Sequence, residues 1–168
     1  MSEKEESSKT VEASTEAPQQ TFEIQKIYLK DASFESPKSP AMFQEKWEPA
    51  TNLQIGTKQQ KLGDNVYEVI LNLTATITVN ETTAFLAEIQ QAGIFTLAGF
   101  EEDALAHLLG SYCPNSLFPF AREVISDLST KGGFPPLLLA PINFDALFAQ
   151  RQQEEAQAKS DADGEVKH

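Results

Sequence analysis

An antiparallel sheet followed by helices that pack on it, an α+β fold, is what this chain predicts, and three observations carry that reading. Residues 66–79 alternate apolar and polar side chains, residues 101–131 place apolar residues at helical spacing, and turn residues separate the two regimes. Strands first and helices afterwards exclude the alternating order of a parallel βαβ fold. A chain of 168 residues has room for one domain with a real core and hardly for two.

The ends read differently from the middle. Residues 1–20 hold Val11 as their large aliphatic and residues 151–168 hold Val166, among many Ser, Thr, Glu, Lys and Gln. Neither end buries enough apolar surface to offset its ordering entropy, so both are expected to be disordered, with residues 21–150 as the folded domain. Within that domain Phe22–Leu29 and Leu53–Leu62 read as the first two strands. The segment Asp31–Pro49 between them carries Pro37, Pro40 and Pro49 and predicts a long extended loop.

The third strand is the clearest. Tyr67, Val69, Leu71, Leu73, Ala75, Ile77 and Val79 share one side, and Glu68, Asn72, Thr74, Thr76 and Thr78 fall on the other. Gly63-Asp64-Asn65 before it and Asn80-Glu81-Thr82 after it are turn chemistry. Residues Thr83–Leu97 then form the fourth strand, with Phe85, Ala87 and Ile89 on one face, Gly93 suggesting a bulge and Gly99 the strand end. Val66, Ile70, Ala84 and Leu86 make the opposite face partly apolar, which predicts oligomerisation.

Glu101, Glu102 and Asp103 suit a helix N-terminus, and Leu105, Leu108, Leu109 and Tyr112 follow at helical spacing. Pro114 predicts the end of that helix or a kink in it. A second helix is expected to be capped by Asn115 or Ser116, to present Leu117, Ala121, Val124, Ile125 and Leu128 on one face, and to stop at Lys131-Gly132. Asn143 is placed to cap a last helix striped by Phe144, Leu147 and Phe148.

Charge and chemistry narrow the function. The net charge of −12 lies mostly on the folded region, so nucleic acid is a poor partner, because phosphate binding needs clustered Lys and Arg. The single cysteine, Cys113, rules out an internal disulfide framework and suits a reducing compartment. No basic stretch with an apolar run opens the chain, and the longest apolar run, Pro135–Ile142, is too short to span a bilayer. These features predict a cytoplasmic protein without membrane insertion. One cysteine and one usable histidine, His107, make no metal site, and Cys113 with His107 on one helix is not a facing nucleophile–base pair. The chain reads as neither an enzyme nor a cofactor protein.

What remains is aromatic residues outside core contexts. Phe43 and Trp47 lie in the proline-rich loop and Phe134 in the Gly-Gly-Phe-Pro-Pro loop, where each would either pin its own loop or help wall a groove. Together, with Phe144 and Phe148 as floor or rim, they suit an extended peptide that uses side-chain pockets and free backbone groups of a strand edge.

The runs SYCPNSLFPFARE, FPP followed by APINFDALF, and QQAGIFTLAG resemble SecB, the bacterial protein-export chaperone family, and the similarity extends from Thr21 to Phe148. The resemblance implies sheet order 1-4-3-2 and a homotetramer built as a dimer of dimers. It implies a chaperone that holds unfolded precursor polypeptides without nucleotide and hands them to SecA, the translocation motor. The client groove would take in Phe43, Trp47, Phe134, Phe144 and Phe148. An acidic sheet surface at Asp31, Glu35, Leu86 and Glu88 would dock the basic zinc-binding C-terminal tail of SecA. Two positions depart from the family's usual wording: Ala87 stands where Cys is frequent, and Leu138, where Asn is common, makes its loop more apolar. Two other readings stay open, a SecB-like chaperone dedicated to one partner such as an antitoxin, and a small-ligand-binding or hydrolytic oligomer.

Overall fold

The computed structural model describes residues 19–165, with side chains through residue 160; the N-terminal stretch predicted to be disordered falls almost wholly outside the described residues. Four strands, β1 (Thr21–Glu35), β2 (Ala50–Gly63), β3 (Val66–Val79) and β4 (Thr82–Ala98), form one antiparallel sheet in the order β1-β4-β3-β2. Helices α1 (Glu102–His107), α2 (Cys113–Lys131) and α3 (Phe144–Glu165) follow. The α+β class and the strand order are as expected.

The core lies between one sheet face and the helices. Val69, Leu71, Leu73 and Ala75 of β3, with Ile89, Phe95 and Leu97 of β4, meet Leu109, Cys113, Leu117, Ala121 and Ile125 of the helical layer. Gly93 sits in β4 without a bulge; its missing side chain makes room for Phe95 and Leu117, which a Cβ there would strike. Gly99 has φ +75° and ends β4 where expected.

β1 runs six residues beyond the predicted strand end, and the reason is visible in its register. Extra residues interrupt the pairing between Ile24 and Lys26 and again between Leu29 and Asp31. Each bulge flips the alternation, so Phe22, Ile24, Ile27, Leu29, Ala32 and Phe34 all fall on the helix side although their spacing breaks period two. Asp31 and Glu35 therefore belong to the strand itself and not to a following loop. A register shift after Ile77 similarly carries Ala84 into a buried cluster, so Ala84 is not part of the open face.

Pro114 does not end the first helix. Leu108–Tyr112 is a π-helical turn, with the Cys113 N–H reaching back to the Leu108 carbonyl, and it joins α1 to α2 without a break. Pro114, which has no N–H to place, occupies the first turn of α2 directly behind that widened turn. Asn115 and Ser116 are interior residues, not caps. The α2 end at Lys131-Gly132 and the Asn143 cap are as expected, the latter with Oδ1 accepting from the Ala146 N–H at 3.0 Å.

α3 continues from Phe144 to Glu165, through the stretch expected to be disordered. Residues 149–163 contain no Gly or Pro and are built largely from Ala, Gln, Glu, Lys and Arg, all strong helix formers. Local propensity extends the helix there without a core to cover.

Candidate functional site

Phe134 is the centre of an aromatic cluster at one end of the sheet. Its ring is 95% covered and lies 5.0 Å from Phe85, 5.1 Å from Phe43, 5.6 Å from Trp47 and 6.5 Å from Phe34, centroid to centroid. Such spacings are those of favourable tilted and stacked aromatic pairs. The cluster draws on both proline-rich loops, with Met42, Ile77, Val79 and Ala84 filling in behind. Of the three loop aromatics, Phe43 stands open at 51% exposure, Trp47 is half-buried and Phe134 is interior. Phe134 thus anchors the wall, while Phe43 and Trp47 present it.

Phe34 and Phe85 complete the cluster, and sequence reasoning missed both. The alternation of β4 places Phe85 in the core, and the prolines that follow Asp31 put Phe34 in a predicted loop. The bulge before Asp31 is what turns Phe34 inward, and its ring packs 5.3 Å from Phe85.

Phe144 and Phe148 are elsewhere, which corrects their placement in the same groove. Phe144 is buried in the main core against Phe118, 5.8 Å away. Phe148 lies across Gly110 of the π turn and edge-on to His107 at 5.5 Å. It lines a separate concavity of about 330 Å³, formed with Thr57, Lys58, Ala106, Gly110 and Arg151. That concavity sits beside the middle of β2, apart from a narrow slot of about 90 Å³ between Trp47, Pro49, Pro136 and Leu137 near the start of the strand. Thr51 lines the slot and Thr57 the concavity, so some 20 Å of extended strand separates them, at about 3.3 Å per residue. β2 is an edge strand, and Arg151 donates to its Ile55 carbonyl at 3.4 Å.

His107 has a partner that the sequence did not reveal. Its Nε2 lies 2.8 Å from Asp145 Oδ1, and the buried Ser111 hydroxyl donates to the same oxygen at 2.5 Å. Those two bonds hold the Asp145 carboxyl below the usual carboxylate range, the Ser111 bond foremost. Serine and histidine converge on the carboxylate rather than on each other, so no hydroxyl is activated by a base; the trio fastens α3 to the π turn. Burial pushes the Cys113 thiol up to about 12, which leaves it an inert core residue. Among the described residues no three metal-ligating side chains gather, and no helix is long and apolar enough to cross a membrane.

The residues of the second predicted site lie on the open face of the sheet. Glu35 pairs with Leu86, Ser33 with Glu88 and Asp31 with Gln90, so the three carboxylates and Leu86 share one face at one end. Asp31, Glu35 and Glu88 are exposed and Leu86 is half-buried. Toward the other end of that face, Tyr28 and Lys30 reach from β1 over β4 to Glu68 of β3, Lys30 at 2.8 Å. Both bonds hold the Glu68 carboxyl below its ordinary range, Lys30 the more, while burial and that bond push the Tyr28 hydroxyl up to about 12.

An antiparallel sheet with helices on one face and an aromatic wall beside an edge strand make a surface suited to an extended polypeptide. The family model described as preprotein translocase subunit SecB matches residues 15–155. A relative from Nitrosococcus oceani, named protein-export protein SecB, is 56% identical over 97% of this chain and 99% of its own length. One of the same name from Methylococcus capsulatus is 58% identical over 81% of this chain and 88% of its own. Among solved structures, a SecB-like chaperone of Mycobacterium tuberculosis in complex with an antitoxin peptide shares the fold, with a TM-score of 0.59 at 18% identity over 72% of this chain and 90% of its own. The chain belongs to the SecB family.

Proposed function

We propose that this SecB-family chaperone of protein export holds unfolded precursor polypeptides along the β2 edge and hands them to SecA from its acidic sheet face. The observation that carries the reading is the aromatic wall at the end of β2. Exposed Phe43 and half-buried Trp47 stand on the rigid Phe134 anchor, beside backbone groups of an edge strand. An unfolded chain offers apolar side chains and unpaired backbone together, and such a wall with such an edge accepts both without a sequence motif. A folded client offers neither. Export rather than service to one antitoxin is favoured by the 56% and 58% identical relatives, both named for export.

A homotetramer, built as a dimer of dimers in the cytoplasm, fits the surface that one chain leaves open. Ile24 and Leu29 on the helix side of edge strand β1, with Tyr112 and Phe120 of the helical layer, are 41–50% exposed. Phe22 links the two elements, its ring 5.0 Å from Tyr112. An apolar strip beside a free strand edge is suited to a second copy. Several grooves on one assembly then raise the effective concentration of each for the next client segment.

Light scattering of an aggregating secretory precursor, diluted from denaturant with and without the protein, tests the proposal. Stoichiometric protein should suppress scattering with no effect of ATP. Phe43→Ala should weaken capture by about 1–3 kcal/mol if the client buries that ring. Undiminished aggregation in the presence of excess wild-type protein would defeat it.

A further inference from the structure

Leu29 and Phe34 both lie on the helix side of β1, although an odd number of positions separates them. A regular strand puts such residues on opposite faces, so the alternation must break once between them. It breaks at Lys30, which has no partner in β4, while Leu29 pairs with Gln91 and Asp31 with Gln90. The choice of Lys30 matters for one residue above all. A later break would seat Phe34 equally well but would turn Asp31 toward the helices.

Two buried polar side chains, Glu68 and Gln91, grip the strand around this break, one from each face. On the open face the Glu68 carboxylate of β3 accepts from Lys30 at 2.8 Å and from the Tyr28 hydroxyl, both reaching across β4. On the helix side the Gln91 amide donates to the Tyr28 carbonyl at 3.0 Å. Gln91 stands opposite the core residue Leu71, and among the described residues its Oε1 has no partner. An unpaired buried amide oxygen is costly, so the core itself has no use for a glutamine; what Gln91 adds is its donor. We propose that Glu68 and Gln91 are positioning residues for the acidic docking surface: by fixing β1 from Tyr28 to Lys30 they place the break at Lys30 and keep Asp31 outward with Glu35 and Glu88. The proposal rests on the reading of that surface as the site for the basic SecA tail. Neither residue belongs to the acidic cluster, and Phe34 keeps its place in the aromatic cluster wherever the break falls, so client capture is not at stake.

Thiol labelling reads the facing of position 31 directly, because the one native thiol, Cys113, is buried. Asp31→Cys in the full-length protein should react quickly with a maleimide. Adding Glu68→Met and Gln91→Met, which release the grip at similar side-chain volume, should slow that reaction about ten-fold as position 31 turns inward. A merely structural role predicts the opposite, since a loosened strand exposes its thiol. Deleting Lys30 from the same variant should restore fast labelling: Leu29 and Phe34 are then an even number of positions apart, and position 31 faces out unaided. With Asp31 intact, the two Met substitutions should weaken binding of the SecA tail about ten-fold in calorimetry, and the deletion should recover it. Undiminished labelling in the variant with both Met substitutions, or no recovery on deletion, overturns the proposal. Wild-type protein that binds no tail, while labelling behaves as stated, overturns the docking reading and upholds the control of position 31 by Glu68 and Gln91. Gln91→Met alone carries the same comparison if the variant with both substitutions fails to fold.

Discussion

Glu81 pays the clearest conformational penalty of any residue here. The β3–β4 hairpin closes through Asn80 at φ 49° and Glu81 at φ 60°, a two-residue turn that needs left-handed backbone at both positions. Asparagine tolerates that region and glutamate does not, so Glu81→Gly should stabilise the fold by about 1 kcal/mol, read as a rise in the thermal midpoint. Glu68 works in the other direction. Its carboxylate accepts from Lys30 and Tyr28 while nearly buried, and Glu68→Gln should cost about 1–3 kcal/mol in denaturant unfolding. Because the folded carboxyl is held below its ordinary range, its contribution is complete above the unfolded value near ~4.3 and is lost as pH falls through the lower folded one. Acidification should therefore narrow the gap between wild type and variant; a gap that stays constant with pH would mean the ion pair contributes nothing. Phe134 is buried and Phe43 half exposed, so substitutions at the two are expected to act differently. Phe134→Ala removes a buried ring and should destabilise the fold by about 3–5 kcal/mol, whereas Phe43→Ala should leave the melting transition nearly in place and act on client capture.

At the level of elements, legibility followed local regularity. β3 was readable almost to the residue because its alternation is unbroken, and both hairpin turns declared themselves through Asn, Asp and Gly. β1 was cut short because two bulges break period two, and a bulge is set by pairing with β4, which the strand's own sequence does not show. Of the two outcomes that Pro114 predicts, a helix end or a kink, the end does not occur: a π turn ahead of it absorbs the missing donor and the helical path continues. The candidate site was half legible. Phe43, Trp47 and Phe134 do meet, since loops rich in proline and aromatics have few ways to cover them. Phe144 and Phe148 do not join them, because their helix is fastened elsewhere by contacts far apart in sequence. That fastening predicts its own test. Asp145→Asn should weaken the bonds from Ser111 and His107, so amide-exchange protection should drop in the first turns of α3 and stay unchanged in α2. Equal loss in both helices would show that Asp145 supports the whole helical layer instead.

Across the whole molecule, the two sheet faces differ in composition. The helix-side face is apolar and finishes the core, and its border at Ile24, Leu29, Tyr112 and Phe120 is suited to a second copy. Charge substitutions on the opposite face should therefore leave assembly and client capture alone. Asp31, Glu35 and Glu88 gather at one end of that face around Leu86 because the bulge after Leu29 aims β1's carboxylates outward. An exposed acidic cluster is ordinarily just solvated, yet a partly apolar centre among three carboxylates suits a basic peptide with one apolar contact. The zinc-binding tail of SecA is the proposed occupant. Opposite charges steer and orient such docking, so affinity for the tail should fall steeply as salt rises. Asp31→Asn, Glu35→Gln and Glu88→Gln together should abolish binding of the isolated tail in calorimetry while suppression of precursor aggregation persists. Loss of both activities would place the docking surface within the client groove, and loss of neither would place it away from this end of the sheet.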